Sequence, residues 1–333
     1  MCFKRLYILL VAVLLSLTLC AQTLSEEARI SLLTCSPGEE LYARYGHTAL
    51  RICDPQNDMD ITFNYGIFDF NTDHFYWKFV RGETWYELGA APYWWFMREY
   101  EETQRPVYEQ VLRLSQEDKQ LVWDALAENY RPANRKYLYN FVFDNCATRP
   151  YFILMEVLSR DGKERPQSLY HGAEGKTYRE FIRHYTPKGS WADFGINLLF
   201  GPKADQPMAG EQRLFLPEEL MFYLSQSRYA DGTSLIESEH IEPFAIAPVP
   251  WYKTSYTGLA VLFVLLAALS VYDRQRGKRS RWADGILYVI YALLLLIVTF
   301  LTFFSCHPLV GFGWRLLIIP FIHLCARLIY IVR

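Results

Sequence analysis

Apolar residues along this chain fall into three patterns, and each predicts a different kind of element. Unbroken runs occupy 1–21 ("MCFKRLYILLVAVLLSLTLCA"), 256–272 ("YTGLAVLFVLLAALSVY"), 285–304 ("GILYVIYALLLLIVTFLTFF") and 316–332 ("LLIIPFIHLCARLIYIV"). A helix needs roughly 20 apolar residues to cross a bilayer core, so the last three read as about three membrane spans. The third of these carries Pro320, His323 and Arg327. The first run has Lys4 and Arg5 ahead of the apolar stretch Leu6–Leu19 and reads as a secretory signal peptide over 1–21. Cys20 leaves a lipoprotein signal open, and an uncleaved anchor is a third form. The loop "DRQRGKRSR" holds Arg274, Arg276, Lys278, Arg279 and Arg281. The positive-inside rule puts that loop in the cytoplasm, which leaves residues 22–252 outside.

Between these runs, period-two and helical patterns alternate. "ARISLLTCS" (28–36), "HTALRICD" (47–54), "ITFNYGIFDF" (61–70) and "RPVYEQVLRL" (105–114) suit strands, the last with Tyr108, Gln110, Leu112 and Leu114 on one face. "SPGEELYARYG" (36–46) predicts a short helix with a Ser36–Glu39 capping box, Pro37 in its first turn and Gly46 at its end. A longer helix opens at Ser115 and stops at Arg131-Pro132. "ATRPYFILMEVLS", "TYREFIRHYT", "SWADFGINLLFG" and "PEELMFYLSQS" predict further helices. "LLFGPKADQP" (198–207) reads as a loop, with Lys203 and Asp205 as exposed charges. The mixture is α+β. It divides into an extracytoplasmic domain over 22–242, a Pro-bounded linker over 243–254 and a membrane domain over 255–333.

Composition sharpens this picture in two respects. Hydrophobic residues make up 51% of the 333 and aromatics 17%, as befits a membrane protein, while a net charge of -2 offers nucleic acid no electrostatic footprint. Clusters with zinc-type spacing and a glycine-rich phosphate loop are missing from the sequence, so neither metal nor cofactor is expected. The outer segment holds Cys35, Cys53 and Cys146 in a compartment that permits disulfides. Cys35 and Cys53 could pair, leaving Cys146 as the odd thiol.

Candidate chemistry centres on "YNFVFDNCATRP" (139–150). Pro150 lacks an N–H and fits only the first turn of a helix. Cys146 therefore sits at or beside a helix N-terminus, where the dipole favours a thiolate. The blander reading is a small buried apolar cysteine. A cysteine nucleophile needs a base and a group that orients the base. His47, at the start of a strand in "RYGHTALRI", is the best placed of the outer histidines; His74, His171, His184 and His240 lie in polar stretches. Asn64, among Phe63, Tyr65 and Phe68, is a candidate orienter, and Glu39 competes with it. Asn140 is a candidate side-chain oxyanion donor beside the backbone N–H groups that open the Cys146 helix. Arg149 suits either a lipid phosphate or a surface carboxylate. Tyr93, Trp94, Trp95 and Phe96, in a row in "APYWWFMREY", exceed what one helix face can bury, so that Trp94 and Trp95 suit lipid contact, although a buried aromatic cluster would use them too.

"YGHTALRI", "FNYGIFDF" and "YNFVFDNCATRP" together resemble the extracytoplasmic domain of the Lnb family of bacterial lipoprotein N-acyltransferases, over roughly Ile30 to Leu224. The resemblance implies a circularly permuted papain-like fold of the NlpC and lecithin retinol acyltransferase type with additional helices, in which histidine precedes cysteine. It implies Cys146 as nucleophile, His47 as base and Asn64 as third residue. It also implies an inner-membrane protein with its catalytic domain on the periplasmic side, and more membrane helices than the candidates found here. The acyl donor would be a phospholipid and the acceptor a diacylated lipoprotein. Two other classes compete: a papain-like peptidase or amidase acting on peptidoglycan peptides, and a non-catalytic membrane-tethered binding protein.

Overall fold

The computed structural model describes residues 22–40, 43–68, 73–172, 175–278, 280–311 and 313. The signal segment 1–21, the third candidate span at 316–332, His323 and Arg327 lie outside the described residues. In chain order the elements open with β1 (Arg29–Cys35), β2 (His47–Asp54), β3 (Met59–Ile67), α1 (Phe75–Arg81), β4 (Trp85–Pro92) and α2 (Tyr93–Glu102). Next come β5 (Val107–Leu112), α3 (Gln116–Tyr130), β6 (Lys136–Leu138), α4 (Thr148–Leu158), β7 (Gln167–Ser168), α5 (Tyr178–His184) and α6 (Trp191–Leu199). The last are α7 (Pro217–Ser225), β8 (Ser227–Arg228), β9 (Ile236–Glu239), α8 (Ser255–Arg276) and α9 (Arg281–Phe304). Helix and antiparallel strand are mixed, with two long apolar helices at the C-terminal end.

The chain divides into two units. The first takes the described residues up to Phe75, with Thr84–Glu174 and Gly210–Phe244. Its seven strands run β6-β4-β3-β2-β1-β5-β9, antiparallel at every pairing. Central strands with both faces covered read as continuous apolar runs, and β1 accordingly buries every residue after Arg29. On one face Ile30, Leu32, Leu50, Ile52, Phe63 and Leu88 meet Trp123 and Leu126 of α3, Leu154 and Met155 of α4, and Leu220 of α7. On the other, Leu33, Cys35 and Ala49 meet Phe96 and Tyr100 of α2. Helix α3 opens where the sequence predicts: the Ser115 hydroxyl accepts the Asp118 N–H at 3.1 Å.

Two local expectations fail for tertiary reasons. No α-helix forms over the described part of 36–46, where Ala43 lies in a 3-10 turn with its N–H on Glu40 O at 3.1 Å. The Ser36 N–H, which would open that helix, bonds Pro106 O at 2.9 Å and prolongs the β1–β5 ladder; the Gly38 N–H turns onto Ala43 O, also at 2.9 Å. Nor can Cys35 and Cys53 pair. Cys53 faces Arg29 and Cys35 faces His47 in one register, so six residues of strand (35 − 29), about 20 Å, separate them. A disulfide tolerates about 7 Å between Cα atoms. Both thiols are free.

The second unit takes Tyr76–Glu83, Gly175–Ala209 and the described residues from Ala245; the first two segments belong to what the sequence presents as the outer domain. Helices α8 and α9 have 22 and 24 residues, about 33 and 36 Å at 1.5 Å per residue, enough to cross a bilayer. In the turn after α6, Asp205 is exposed as expected, but it is paired. It pairs with the buried Arg179 guanidinium at 2.6 and 3.1 Å, which also donates to Phe200 O at 2.8 Å.

Candidate active site

Cys146 is placed by the residue before it. The Asn145 side chain is almost fully buried, and its Oδ1 accepts the N–H groups of Ala147 at 2.8 Å and Thr148 at 3.0 Å. Its Nδ2 donates to Phe141 O at 2.7 Å and Phe215 O at 2.8 Å. The Asn145 N–H in turn bonds Thr148 Oγ1 at 2.8 Å. One buried amide thus ties the start of α4 to the preceding turn and to the segment before α7. The amide hydrogens of Ala147 and Thr148 are already taken, so the first turn of α4 does not supply the free oxyanion donors that the sequence suggested.

The approach to the cysteine is a turn rather than a strand. Asn140 and Asp144 exchange backbone bonds at 3.0 and 2.9 Å, and Asn140 Oδ1 accepts from Val142 and Phe143, both at 3.1 Å. Asn140 therefore builds the turn. Arg149 makes a bidentate pair with Asp144 at 2.6 and 2.8 Å and lies 3.7 Å over the Tyr137 ring. Of its two expected partners, it has taken the carboxylate.

His47 opens β2, with Gly46 turning the chain into it. Gly46 has φ +78, and a Cβ there would lie 2.7 Å from Cys35 O, so only glycine fits. The His47 Nε2–H donates to Asn64 Oδ1 at 2.5 Å. An amide oxygen can only accept, which leaves Nδ1 as the ring nitrogen free to take a proton. The His47 ring also hydrogen-bonds the Cys146 side chain. Glu39, the competing orienter, offers its backbone carbonyl to Arg44 instead.

Gly66 completes the enclosure and carried no signal in the sequence beyond being a glycine inside a strand. The β3–β4 register slips between Tyr65 and Ile67, a bulge of the kind found beside active sites. Gly66 takes φ +104 there, and a Cβ on it would meet His47 Cε1 at 3.8 Å and Cys146 Cβ at 3.9 Å. Four tyrosines form a wall behind: Tyr86 and Tyr139 stack at 4.2 Å, and the Tyr65 and Tyr137 rings meet at 6.1 Å. Burial, then the charge on Cys146, raises Tyr86 to about 12. These phenols stay protonated at neutral pH.

The electrostatics favour an ion pair. Burial pushes the Cys146 thiol up, but the His47 charge and hydrogen bond, with the backbone N–H groups of Thr48 and Cys146, bring it below the ordinary value. Burial pushes His47 down, but the Cys146 charge and hydrogen bond and the Asn64 bond raise it above its usual range. A thiolate beside an imidazolium is the arrangement of a nucleophilic cysteine.

Trp94 and Trp95 stand apart from this cluster. They extend from the first turn of α2, 69% and 58% exposed, while Phe96 of the same helix is buried. Nearer the cysteine in the chain, Phe143 is exposed in the turn and Leu138 at the sheet edge, where it opposes exposed Trp85 across β4 and β6.

Residues 20–184 match the family model of the Lnb N-terminal periplasmic domain, and residues 254–333 match that of the Lnb transmembrane domain. No curated protein and no solved structure matches the chain.

Proposed function

The chain belongs to the Lnb family, a membrane protein with an extracytoplasmic domain, and from that premise we propose that it is a cysteine-dependent lipoprotein N-acyltransferase of the inner membrane. Its catalytic domain, 22–242, has a permuted papain-like fold and joins the membrane domain through 243–254. It moves a fatty acyl chain from a phospholipid to the α-amino group of a lipoprotein's N-terminal cysteine. The observation that carries this reading is the chain of contacts Cys146–His47–Asn64, with the thiol lowered and the imidazole raised.

The Cys146 thiolate attacks the ester carbonyl, and the oxyanion that develops faces the N–H groups of Cys146 and Thr48, the two backbone donors that reach Sγ. The tetrahedral adduct collapses with cleavage of the ester C–O bond. His47 gives its proton to the departing lysophospholipid alkoxide, leaving a thioester on Cys146. Neutral His47 then takes a proton from the incoming amine as its nitrogen attacks the thioester carbonyl. The amide forms, the C–S bond breaks, and the thiolate–imidazolium pair is restored. Asn64 holds the ring so that the reactive nitrogen stays turned to Sγ throughout. Exposed Phe143, three residues before Cys146, and the exposed Trp85–Leu138 pair at the sheet edge are apolar surface of a kind that suits an acyl chain better than a hydrophilic peptide.

Mass spectrometry of lipoprotein N-terminal peptides from cells whose only such enzyme is Cys146→Ala tests the reading. Two-chain forms should accumulate and three-chain forms disappear; unchanged acylation rejects it. The same triad would serve a peptidase, so an acyl adduct trapped on Cys146 from labelled phospholipid is the result that separates the two.

A further inference from the structure

Helix α1 carries its side chains the wrong way round for a helix that faces water. Its sequence is FYWKFVR. Tyr76 is 75% exposed, Trp77 54%, Phe79 44% and Val80 41%, whereas Lys78 is half-buried. At 3.6 residues per turn these four apolar residues cover an arc of about 160°, with Lys78 outside it. Water-facing helices bury such an arc and expose the lysine.

What α1 is attached to explains the inversion. The Cys306 N–H donates to Arg81 O at 2.7 Å, Arg81 Nε donates to Phe304 O at 3.3 Å, and His307 Nε2 donates to Val80 O at 3.0 Å. The Trp77 ring lies 5.3 Å from that of Phe300. Gly82, at φ +71, lets the chain turn against His307: a Cβ there would already be 3.3 Å from it. Every one of these contacts is to the last two turns of α9 or the residues just beyond it. The cationic loop between α8 and α9 puts the start of α9 in the cytoplasm, so Phe304 marks the outer end of the span. Hydrogen bonds to Phe304 itself and to Cys306 and His307 just beyond it fix the depth of α1 at the outer headgroup layer.

A second segment of the same unit is tied in the same way to the other span. The Ser255 N–H and Oγ both bond Gly189 O, at 2.9 and 3.1 Å, and Trp191 packs where a Cβ on Gly258 would stand. Trp191, Trp251, Tyr252 and Tyr256 are all exposed at that outer end of α8. Tryptophan and tyrosine at the level where spans leave the hydrocarbon are the mark of the membrane interface.

We infer that α1 is an interfacial helix, lying in the outer leaflet with Tyr76, Trp77, Phe79 and Val80 in contact with phospholipid. The attachment rests on apolar area and hydrogen-bonded depth, and it is independent of any chemistry at Cys146.

The test replaces single residues of the full chain with a photoreactive benzoylphenylalanine in nanodiscs of phosphatidylcholine alone. Phe303, exposed within α9, serves as the lipid-facing control, and Leu169, exposed in the first unit, as the water-facing one. Irradiation with the probe at Trp77 or Val80 should give phospholipid adducts at yields within about threefold of Phe303 and at least tenfold above Leu169. Yields at the Leu169 level overturn the inference. So do adducts with a peptide of a second copy, or with residues 314–333 of the same chain, because either would mean that protein covers this face.

Discussion

Cys35 and Cys146 both lie beside His47, and their chemistry is opposite. Cys35 faces His47 across the β1–β2 register and is fully buried against α2. Burial raises its thiol to about 12, and the Tyr100 hydrogen bond and the nearby Arg105 do not offset it. Cys146 suffers the same burial penalty, yet ends below the ordinary value. The difference lies in what the structure aims at each sulfur. Cys146 receives an imidazole hydrogen bond and two backbone N–H groups, whereas Cys35 receives a phenol inside an apolar cluster. Proximity to a histidine does not lower a thiol; the imidazolium charge and the hydrogen bonds aimed at the sulfur do.

The largest effect should come from breaking the pair. His47→Ala removes the base and the charge that holds the thiolate, and acylation should fall at least about 10³-fold. Iodoacetamide alkylation provides a direct readout. In the native chain the rate at Cys146 should rise with pH through a midpoint below the roughly 8.5 of a free thiol. With His47 gone only the backbone N–H groups of Thr48 and Cys146 oppose burial, so the midpoint should rise. Cys35 should remain unmodified at neutral pH in both proteins, and its ready alkylation would remove the contrast.

Next is Asn145→Ala, which strips partners from two buried N–H groups and two carbonyls. At about 1–3 kcal/mol for each unsatisfied group, partly relieved by relaxation, a loss of about 3 kcal/mol is expected. It should appear as a lower Tm of the full chain in nanodiscs. Asn145→Asp keeps the acceptor and loses the donors, and should fall between the two.

Asn64→Ala leaves the base in place but unoriented. A loss of about 10²-fold in kcat is expected, with the alkylation midpoint shifted less than in His47→Ala. Gly66→Ala meets no close contact but forces φ +104 on a residue with a Cβ, at about 1–3 kcal/mol. Its signature should be a lower Tm and a slower Cys146 with an unshifted midpoint. The smallest effect is Cys35→Ala, which should cost about 1 kcal/mol for the lost packing and leave acylation unchanged.

Much of this could be read from residue order because it depends on neighbours in the chain. Ser115 capping α3, the alternation that buries Tyr108, Gln110 and Leu112, and the apolar length of α8 and α9 are local properties. So is the limit that Pro150 sets on the start of α4, and with it the place of Cys146 at a helix entrance. His47 and Asn64 were legible as candidates because each is a polar residue in a strand context that needs a reason for it.

The rest depended on distance across the fold. The Ser36–Glu39 capping box was lost to Pro106, which takes the Ser36 N–H that Glu39 would have accepted. The cysteine pairing was decided by strand register, which sets Cys35 and Cys53 at opposite ends of one hairpin. Asn140 and Asn145 are indistinguishable as letters; burial against Phe215, far along the chain, makes Asn145 the anchor and leaves Asn140 a turn residue. The bulge at Gly66 and the outward aromatic face of α1 have the same origin. Chain order determined which groups could do chemistry, since helix ends, strand periods and span lengths are set by adjacent residues. Tertiary structure decided which of them meet, since a hydrogen bond of 2.5 Å between His47 and Asn64 exists only where two strands are brought side by side.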